Sequence, residues 1–139
     1  MKFLLLILLL FNILFCDNLY IDKIRIHGNT VIKNNEIYKN MMLKRPSLFI
    51  RVEFSDKLLK QDVQNIIGLY KSHGFLDVQI ESSVNKQINN YLEINYSIIE
   101  GKKYYLDDLI IMGNKIKSNK EIKFLFKKKI KSEFDPAYV

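Results

Sequence analysis

The chain has 139 residues, with 22 Lys and Arg against 15 Asp and Glu, and a net charge of +7. This length accommodates one modest domain, or one small domain and part of another. The single cysteine excludes an intrachain disulfide, and the positive charge suits anionic lipid, nucleic acid or an acidic protein as partner.

The chain begins with Met1-Lys2, then the apolar run "FLLLILLLFNILFC", then the polar pair Asp17-Asn18. One positive charge before a run of about 14 apolar residues is typical of a secretory signal peptide. Crossing a membrane takes about 20 such residues, so an uncleaved anchor is the alternative interpretation. We therefore expect residues 1–16 to be a signal peptide, with Cys16 either removed with it or lipidated. Export makes nucleic acid the least suitable of the three partners.

The first folded segment reads "LYIDKIRIHGN", in which Ile24 and Ile26 alternate with polar residues. This period of two predicts a half-buried strand. Gly28 and Asn29 then predict a turn, since both residues tolerate a positive φ. The absence of a phosphate-binding glycine pattern around Gly28 favours this turn over a ligand loop.

Two helices are predicted next. The first starts near Asn34 as its cap, carries Ile37, Met41 and Met42 on one stripe, and ends before Pro46. The second starts after the N-cap Ser55 and ends at Gly74. Its apolar residues recur at helical spacing: Leu59, Val63, Ile66, Ile67 and Tyr70. Asp62 lies within that apolar face, and we expect it to accept a hydrogen bond from a backbone donor or from the Tyr70 hydroxyl.

The period returns to two after the second helix. Residues 76–84 and 92–99 both alternate apolar with polar side chains, and the polar segment "NKQINN" separates them. This pattern predicts two strands joined by a short loop. The first unit is therefore α+β, a β-α-α-β-β module in which two helices cover one face of a three-stranded mixed sheet.

The chain then repeats itself. "IDKIRIHGNTVIKNNEI" from Ile21 and "LDDLIIMGNKIKSNKEI" from Leu106 are identical at seven of 17 positions. Repeats must be recognised early, because they determine the architecture. We expect a first module over residues 17–100 and an incomplete second module over residues 101–139, containing its first strand and first helix. The incomplete copy suggests a fragment, a truncated product, or a tail that packs against something else.

Patterns that would indicate catalysis or a metal are missing from the sequence. His27 and His73 are the two histidines, and neither belongs to a ligand-spaced cluster. No nucleophile with a partnering base is visible, so we expect neither an enzyme nor a bound cofactor or metal. The lysine-rich segment over residues 123–131 is interpreted as a solvated helix face, with contact to anionic lipid headgroups as the alternative.

The ordered set of motifs resembles the POTRA domain, and "EGKKYYLDDLIIMGN" resembles the link between consecutive POTRA domains of BamA-type outer-membrane protein assembly factors. The resemblance covers residues 19–139. The residues that carry it are Ile24, Ile26, Gly28, Asn29, Asp62, Tyr70, Gly74, Phe75, Glu100, Gly101, Tyr104, Gly113 and Asn114.

This resemblance implies a binding module at the periplasmic face of the outer membrane. Its implied partners are unfolded outer-membrane proteins and accessory assembly lipoproteins, bound by β-strand addition; no nucleic acid or small-molecule substrate is implied. In the family the strand after the second helix is the accessible sheet edge, here about residues 76–84. The implied peptide-binding residues are Leu76, Asp77, Val78, Gln79, Ile80 and Glu81. A solvated strand without a partner is the alternative.

Two other classes share the fold. One is a cell-division scaffold of the FtsQ/DivIB kind, in which a POTRA domain follows a retained membrane anchor. The other is the POTRA region of a polypeptide-transport barrel of the two-partner secretion or organelle import type. The tandem repeat and the short apolar run favour the assembly factor over the scaffold.

Overall fold

The structure is a computed structural model that describes residues 18–126 and 132–138. Its elements are β1 (Tyr20–His27), α1 (Asn34–Asn40), β2 (Val52–Glu53), α2 (Asp56–Ser72), β3 (Gln79–Lys86), β4 (Tyr91–Ile99), α3 (Asn119–Phe126) and a short 3-10 helix (Pro136–Tyr138). The signal peptide expected over residues 1–16, with Cys16, lies outside the described residues. The same holds for residues 127–131 of the lysine-rich segment.

The four strands form one mixed sheet in the order β2-β1-β4-β3. β1 is parallel to β4, and β3 is antiparallel to β4. The predicted α+β class and mixed sheet are confirmed, but the sheet has a fourth strand that the sequence did not reveal. β2 pairs antiparallel with the start of β1 through Val52 and Glu53. Two residues are too few to produce a periodic pattern.

A bulge in β1 changes which of its residues reach the core. The register against β4 shifts between Ile21 and Lys23. The extra residue allows Ile21 and Ile24, three positions apart, both to be buried, while Asp22 and Lys23 are exposed. Strict alternation would have placed Ile21 on the solvent face.

The helices cover one face of the sheet, as predicted. The core on that face combines residues of β1, α1, α2 and β4. Tyr70 of α2 and Phe75 meet edge to face, with ring centroids 5.8 Å apart. The most deeply buried members of the core are Ile21, Ile37, Met41, Ile66, Tyr70, Ile94 and Tyr96.

α1 is shorter than predicted. It ends at Asn40, and Met41 is already in an extended conformation, so Pro46 does not end the helix. Met41 is buried, but Met42 is 54% exposed and does not belong to an apolar stripe. The side chain of Asn34 does not cap the helix; its Oδ1 accepts a 2.6 Å hydrogen bond from Asn29 Nδ2. α2 agrees with the prediction, with Ser55 Oγ accepting from Leu58 N at 3.4 Å.

The repeat is visible in the backbone of the second unit. Tyr20 pairs with Glu53 in the first unit, and Tyr105 forms an antiparallel bridge with Glu133 at the matching positions. The predicted first strand of the second unit, however, is wrong beyond this bridge, because no strand forms over residues 106–114. β1 is held by a long ladder to β4, and no described strand takes that place beside the second unit. The second unit's helix, α3, forms as predicted.

Candidate functional site

β3 is an edge strand. It pairs with β4 over eight positions, from Gln79 opposite Ile99 to Lys86 opposite Leu92, and no other described strand lies beside it. An edge of this kind leaves a row of backbone N–H and C=O groups available for a further strand. Its position in the sheet agrees with what the family resemblance implied.

The hairpin geometry indicates which backbone groups of β3 face away from the sheet. Gln87 N donates a 2.7 Å hydrogen bond to Tyr91 O at the start of the hairpin. Antiparallel strands alternate between residues that bond inward and residues that face outward. Counting back from Gln87, the N–H and C=O groups that face outward belong to Ile80, Ser82, Val84 and Lys86.

The side chains of β3 are exposed on both faces of the sheet, apart from the half-buried Ile80. Val84 is 37% exposed although it lies on the helix side, opposite the buried Ile94. The distal half of β3 therefore extends beyond the cover of the helices. Polar side chains on both faces of an edge strand keep it soluble without occupying its backbone groups.

The structure places the predicted peptide-binding residues in two groups. Gln79, Ile80 and Glu81 lie within β3. Leu76, Asp77 and Val78 precede the strand; Val78 is buried, and Asp77 accepts a 2.6 Å hydrogen bond from the Tyr104 hydroxyl. The edge strand is thus shifted toward the hairpin relative to the predicted residues 76–84, and it includes Asn85 and Lys86, which the prediction left out. Apolar and polar residues already alternate from Leu76 onward, so the sequence pattern did not distinguish the turn at Leu76 and Asp77 from the strand that follows it.

Asp62 is a fully buried carboxylate that closes the loop after α1. It accepts hydrogen bonds from Met42 N at 2.5 Å, from Leu43 N at 3.1 Å and from the Tyr96 hydroxyl at 3.4 Å. The backbone donors were expected, but the hydroxyl belongs to Tyr96 and not to Tyr70. Burial raises the pKa of Asp62, and the hydrogen bonds from Met42, Leu43 and Tyr96 oppose the rise.

Glu100 joins three parts of the module. Its carboxylate accepts hydrogen bonds from Thr30 N at 2.8 Å, from Val31 N at 3.0 Å and from the Tyr70 hydroxyl at 2.9 Å, and the Thr30 hydroxyl also donates to it. Partial burial acts to raise the pKa of Glu100, but hydrogen bonds led by that of the Thr30 side chain outweigh it and lower the pKa. Thr30 and Val31 carried no sequence signal for this role.

The remaining motif residues shape turns and the link between the units. Gly28 has a φ of +83°, and an added Cβ would lie 2.0 Å from Ile98 O, so no side chain fits there. Asn29 Nδ2 donates to Ile32 O at 2.9 Å, and Asn114 Nδ2 donates to Lys117 O at 2.6 Å at the matching position. The repeated Gly-Asn pair therefore forms the same side-chain bond in both units.

The link between the units rests on Gly74. Tyr104 N donates a 2.8 Å hydrogen bond to Gly74 O, and Phe134 N donates to Tyr104 O at 3.1 Å. Gly101, at a φ of +75°, turns the chain beside Asp77. Phe75 follows Gly74 into the core, and the Lys103 ammonium lies 5.4 Å from the centre of its ring. The link thus packs against the end of α2 on the first unit.

Two further observations concern metals and membranes. Within residues 18–126 and 132–138, no group of three or more His, Cys, Asp or Glu side chains is arranged to hold a metal ion. His73 Nε2 lies 3.4 Å from Glu36 Oε1, and His27 is exposed. In the same part of the chain, no helix combines the length and apolarity that spanning a bilayer requires.

Comparison with known proteins gives consistent matches. The family model for POTRA, described as "surface antigen variable number repeat", matches residues 19–101. A putative outer membrane protein assembly factor of Treponema pallidum is 22% identical over 108 residues, and BamA of Neisseria meningitidis is 29% identical over 102 residues. BamA of Nitratidesulfovibrio vulgaris is 31% identical over 104 residues. These alignments cover 73, 73 and 74% of this chain but 13, 12 and 12% of the relatives.

Among solved structures, the crystal structure of Haemophilus influenzae BamA POTRA3-5 superposes with a TM-score of 0.64 at 19% identity. The superposition covers 86% of this chain and 49% of that one, and it agrees in fold. The family model accounts for more than half of the chain, including β1 to β4 and both helices of the first unit. The chain therefore belongs to the POTRA family.

Proposed function

We propose that this chain is a non-catalytic binding module of an outer-membrane protein assembly factor, located in the periplasm. It receives extended segments of unfolded β-barrel proteins, or docks accessory proteins, by adding a strand to β3. In this proposal residues 17–100 form the first module and residues 101–139 belong to a second. The relatives named as assembly factors support the setting.

The observation that carries the proposal is the outer edge of β3, beside which no other described strand lies. It offers the backbone groups of four residues, Ile80, Ser82, Val84 and Lys86, on a strand whose side chains are almost all exposed. Pairing through the main chain depends little on the identity of the client's side chains. A module with such an edge suits many clients that share alternating apolar and polar residues.

A client strand that pairs with β3 would extend the sheet and would not displace residues of the core. Among the described strands β3 is the last of the sheet, and Val78 and Ile98 are already buried beneath the helices. A client strand would rest on the exposed half of β3, where Glu81 and Lys86 supply one charge of each sign. Binding is then weak and reversible, which a module that passes clients onward requires.

The test replaces one outward backbone donor. Ser82→Pro removes the N–H that faces outward and leaves the bonds to β4 intact, because proline is tolerated at an edge position of this kind. Ser82→Ala is the matched control, since it changes the same side chain and keeps the N–H. The probe is a labelled peptide of about ten residues with alternating apolar and polar side chains, the length of a membrane-barrel strand.

We expect Ser82→Pro to weaken peptide binding about tenfold in fluorescence anisotropy, and Ser82→Ala to bind like the unaltered chain. In the unaltered chain, amide resonances of Ile80, Ser82 and Val84 should shift on peptide addition more than those of β1. Equal binding by both variants, with shifts away from β3, would show that clients bind elsewhere. The amide shifts decide the matter even if the proline variant is unstable.

A further inference from the structure

An apolar turn projects from the loop between α1 and β2. Ser47 N donates to Ile50 O and Ile50 N donates to Ser47 O, both at 3.2 Å. These two bonds close a tight turn with Leu48 and Phe49 at its centre. We call Leu48, Phe49 and Ile50 the apolar tip. The two bonds join the ends of the tip, so Leu48 and Phe49 lie at the end of a closed turn.

All three side chains of the apolar tip are exposed. Leu48 is 97% exposed, Phe49 is 96% exposed and Ile50 is 62% exposed. Isolated exposed apolar residues are common and need no explanation. Three consecutive ones on a closed turn form an apolar projection, which is a mark of an interaction site.

Cationic side chains flank the apolar tip in the sequence on both sides. Lys44 and Arg45 precede it and Arg51 follows it. Within residues 18–126 and 132–138, none of the three lies within ion-pair distance of a carboxylate. Arg45 stacks over the Tyr38 ring at 4.3 Å, and Lys44 Nζ donates to Met41 O at 2.9 Å. Lys44 interacts electrostatically with the buried Asp62, and Asp22 shares a surface groove with Arg51. Residues 41–51 themselves contain no carboxylate. The loop therefore carries a net positive charge.

We propose that the apolar tip inserts into the interfacial region of an anionic lipid bilayer, with Lys44, Arg45 and Arg51 against the headgroups. This surface is distinct from the β3 edge and does not depend on client binding. An amphipathic surface with cationic residues around an apolar face is attracted to anionic lipid and then buries its apolar atoms. Such an attachment would be peripheral and reversible.

The shape of the loop favours a bilayer over a protein partner. The apolar residues form an exposed turn, and cationic residues precede and follow it in the sequence. A protein partner would need a pocket for Phe49 with acidic groups around it. A bilayer supplies a deformable apolar interior beneath a layer of negative charge. It therefore accommodates an apolar turn with cationic neighbours without requiring a pocket of matching shape.

The test uses the absence of tryptophan from the chain. Phe49→Trp places a reporter in the apolar tip, and Ile88→Trp places one at another exposed position, since Ile88 is 82% exposed and lies between the uncharged Gln87 and Asn89. Each full-length variant is mixed with vesicles of phosphatidylglycerol and phosphatidylcholine, or of phosphatidylcholine alone. The emission wavelength of each tryptophan depends on its own surroundings, so contacts that other parts of the chain make with the vesicle do not produce a shift.

We expect a blue shift of emission for Phe49→Trp with anionic vesicles, little change with neutral vesicles, and little change for Ile88→Trp with either. Adding Arg51→Gln to Phe49→Trp should raise the lipid concentration for half the shift about fivefold, because one cation near an anionic surface is lost. A shift for Ile88→Trp alone, or one for Phe49→Trp that depends on protein concentration and not on lipid, would overturn the proposal. The second outcome would indicate contact between copies of the chain.

Discussion

The Tyr70 hydroxyl donates a 2.9 Å hydrogen bond to Glu100 Oε1, which ties the end of α2 to the residue that follows β4. The same carboxylate accepts backbone N–H groups of Thr30 and Val31 from the turn after β1. One side chain therefore holds a helix end, a turn and the start of the link to the second unit. Its role is structural, since each of its partners belongs to the framework of the module.

The Tyr70 and Glu100 side chains should be energetically coupled. We expect Tyr70→Phe and Glu100→Gln each to lower the free energy of unfolding, by about 1 and about 2 kcal/mol, because a hydrogen bond to a charged group is lost or weakened. The double variant should lose about 1 kcal/mol less than the sum. Urea unfolding of the four proteins measures this, and strict additivity would mean that the bond contributes nothing of its own.

The contributions of Glu100 and Asp62 to stability should depend on pH in opposite directions. The pKa of Glu100 is lowered in the fold, so its contribution is complete above its ordinary value of 4.5 and is lost as pH falls through the folded pKa. The pKa of Asp62 is raised, so its contribution is complete below its ordinary value of 3.8 and is lost as pH rises through the folded pKa. The unfolding free energies of the unaltered chain, Glu100→Gln and Asp62→Asn, measured from about pH 3 to about pH 7, test both signs.

Asp62→Asn should be destabilising although it removes a buried charge. The two carboxylate oxygens accept three donors, from Met42, Leu43 and Tyr96, and the NH₂ group of asparagine cannot accept any of them. At least one buried donor is left without an acceptor, at a cost of about 2 kcal/mol near neutral pH. Chemical denaturation gives the value. A stability equal to that of the unaltered chain would mean that the loop after α1 rearranges without loss.

Gly74→Ala should be destabilising and Gly68→Ala stabilising. Gly74 has a φ of +86°, and an added Cβ would lie 2.6 Å from Tyr104 O, so both the backbone and the link between the units must shift, at about 2 kcal/mol. Gly68 lies inside α2 with open space around it, so alanine should add about 0.8 kcal/mol through helix propensity. Thermal unfolding of the pair checks the prediction, and destabilisation by Gly68→Ala as well would contradict it.

Much of the module was predictable because local patterns specify it. The alternation of Ile24 and Ile26 with polar residues located β1. The helical spacing of Leu59, Ile66 and Tyr70 located the buried face of α2. Predictions were less successful where a few residues break a pattern. The bulge at Ile21 and the two-residue strand β2 leave no periodic signal, since each depends on pairing with a distant partner.

The candidate sites likewise contain residues that the sequence indicated and residues that only the structure revealed. The sequence indicated the strand after the second helix and the motif residues, but it placed the edge three residues too early. Asp77 could not be recognised as part of the link, because its partner Tyr104 is 27 positions away. The apolar tip carried no periodic signal either, and the exposure of Leu48 and Phe49 is known only from the packed structure.

The sequence by itself determined the repeat, the α+β class, the order of the main elements and the glycine positions of the turns, because each depends on residues close together in the chain. The tertiary structure decided which polar groups meet: Asp62 with Tyr96, Glu100 with Tyr70 and Thr30, and Gly74 with the link. It also decided which strand lies at the edge of the sheet. The physical reason is that buried polar groups and sheet edges take their partners from distant segments, and only the packed chain brings these together.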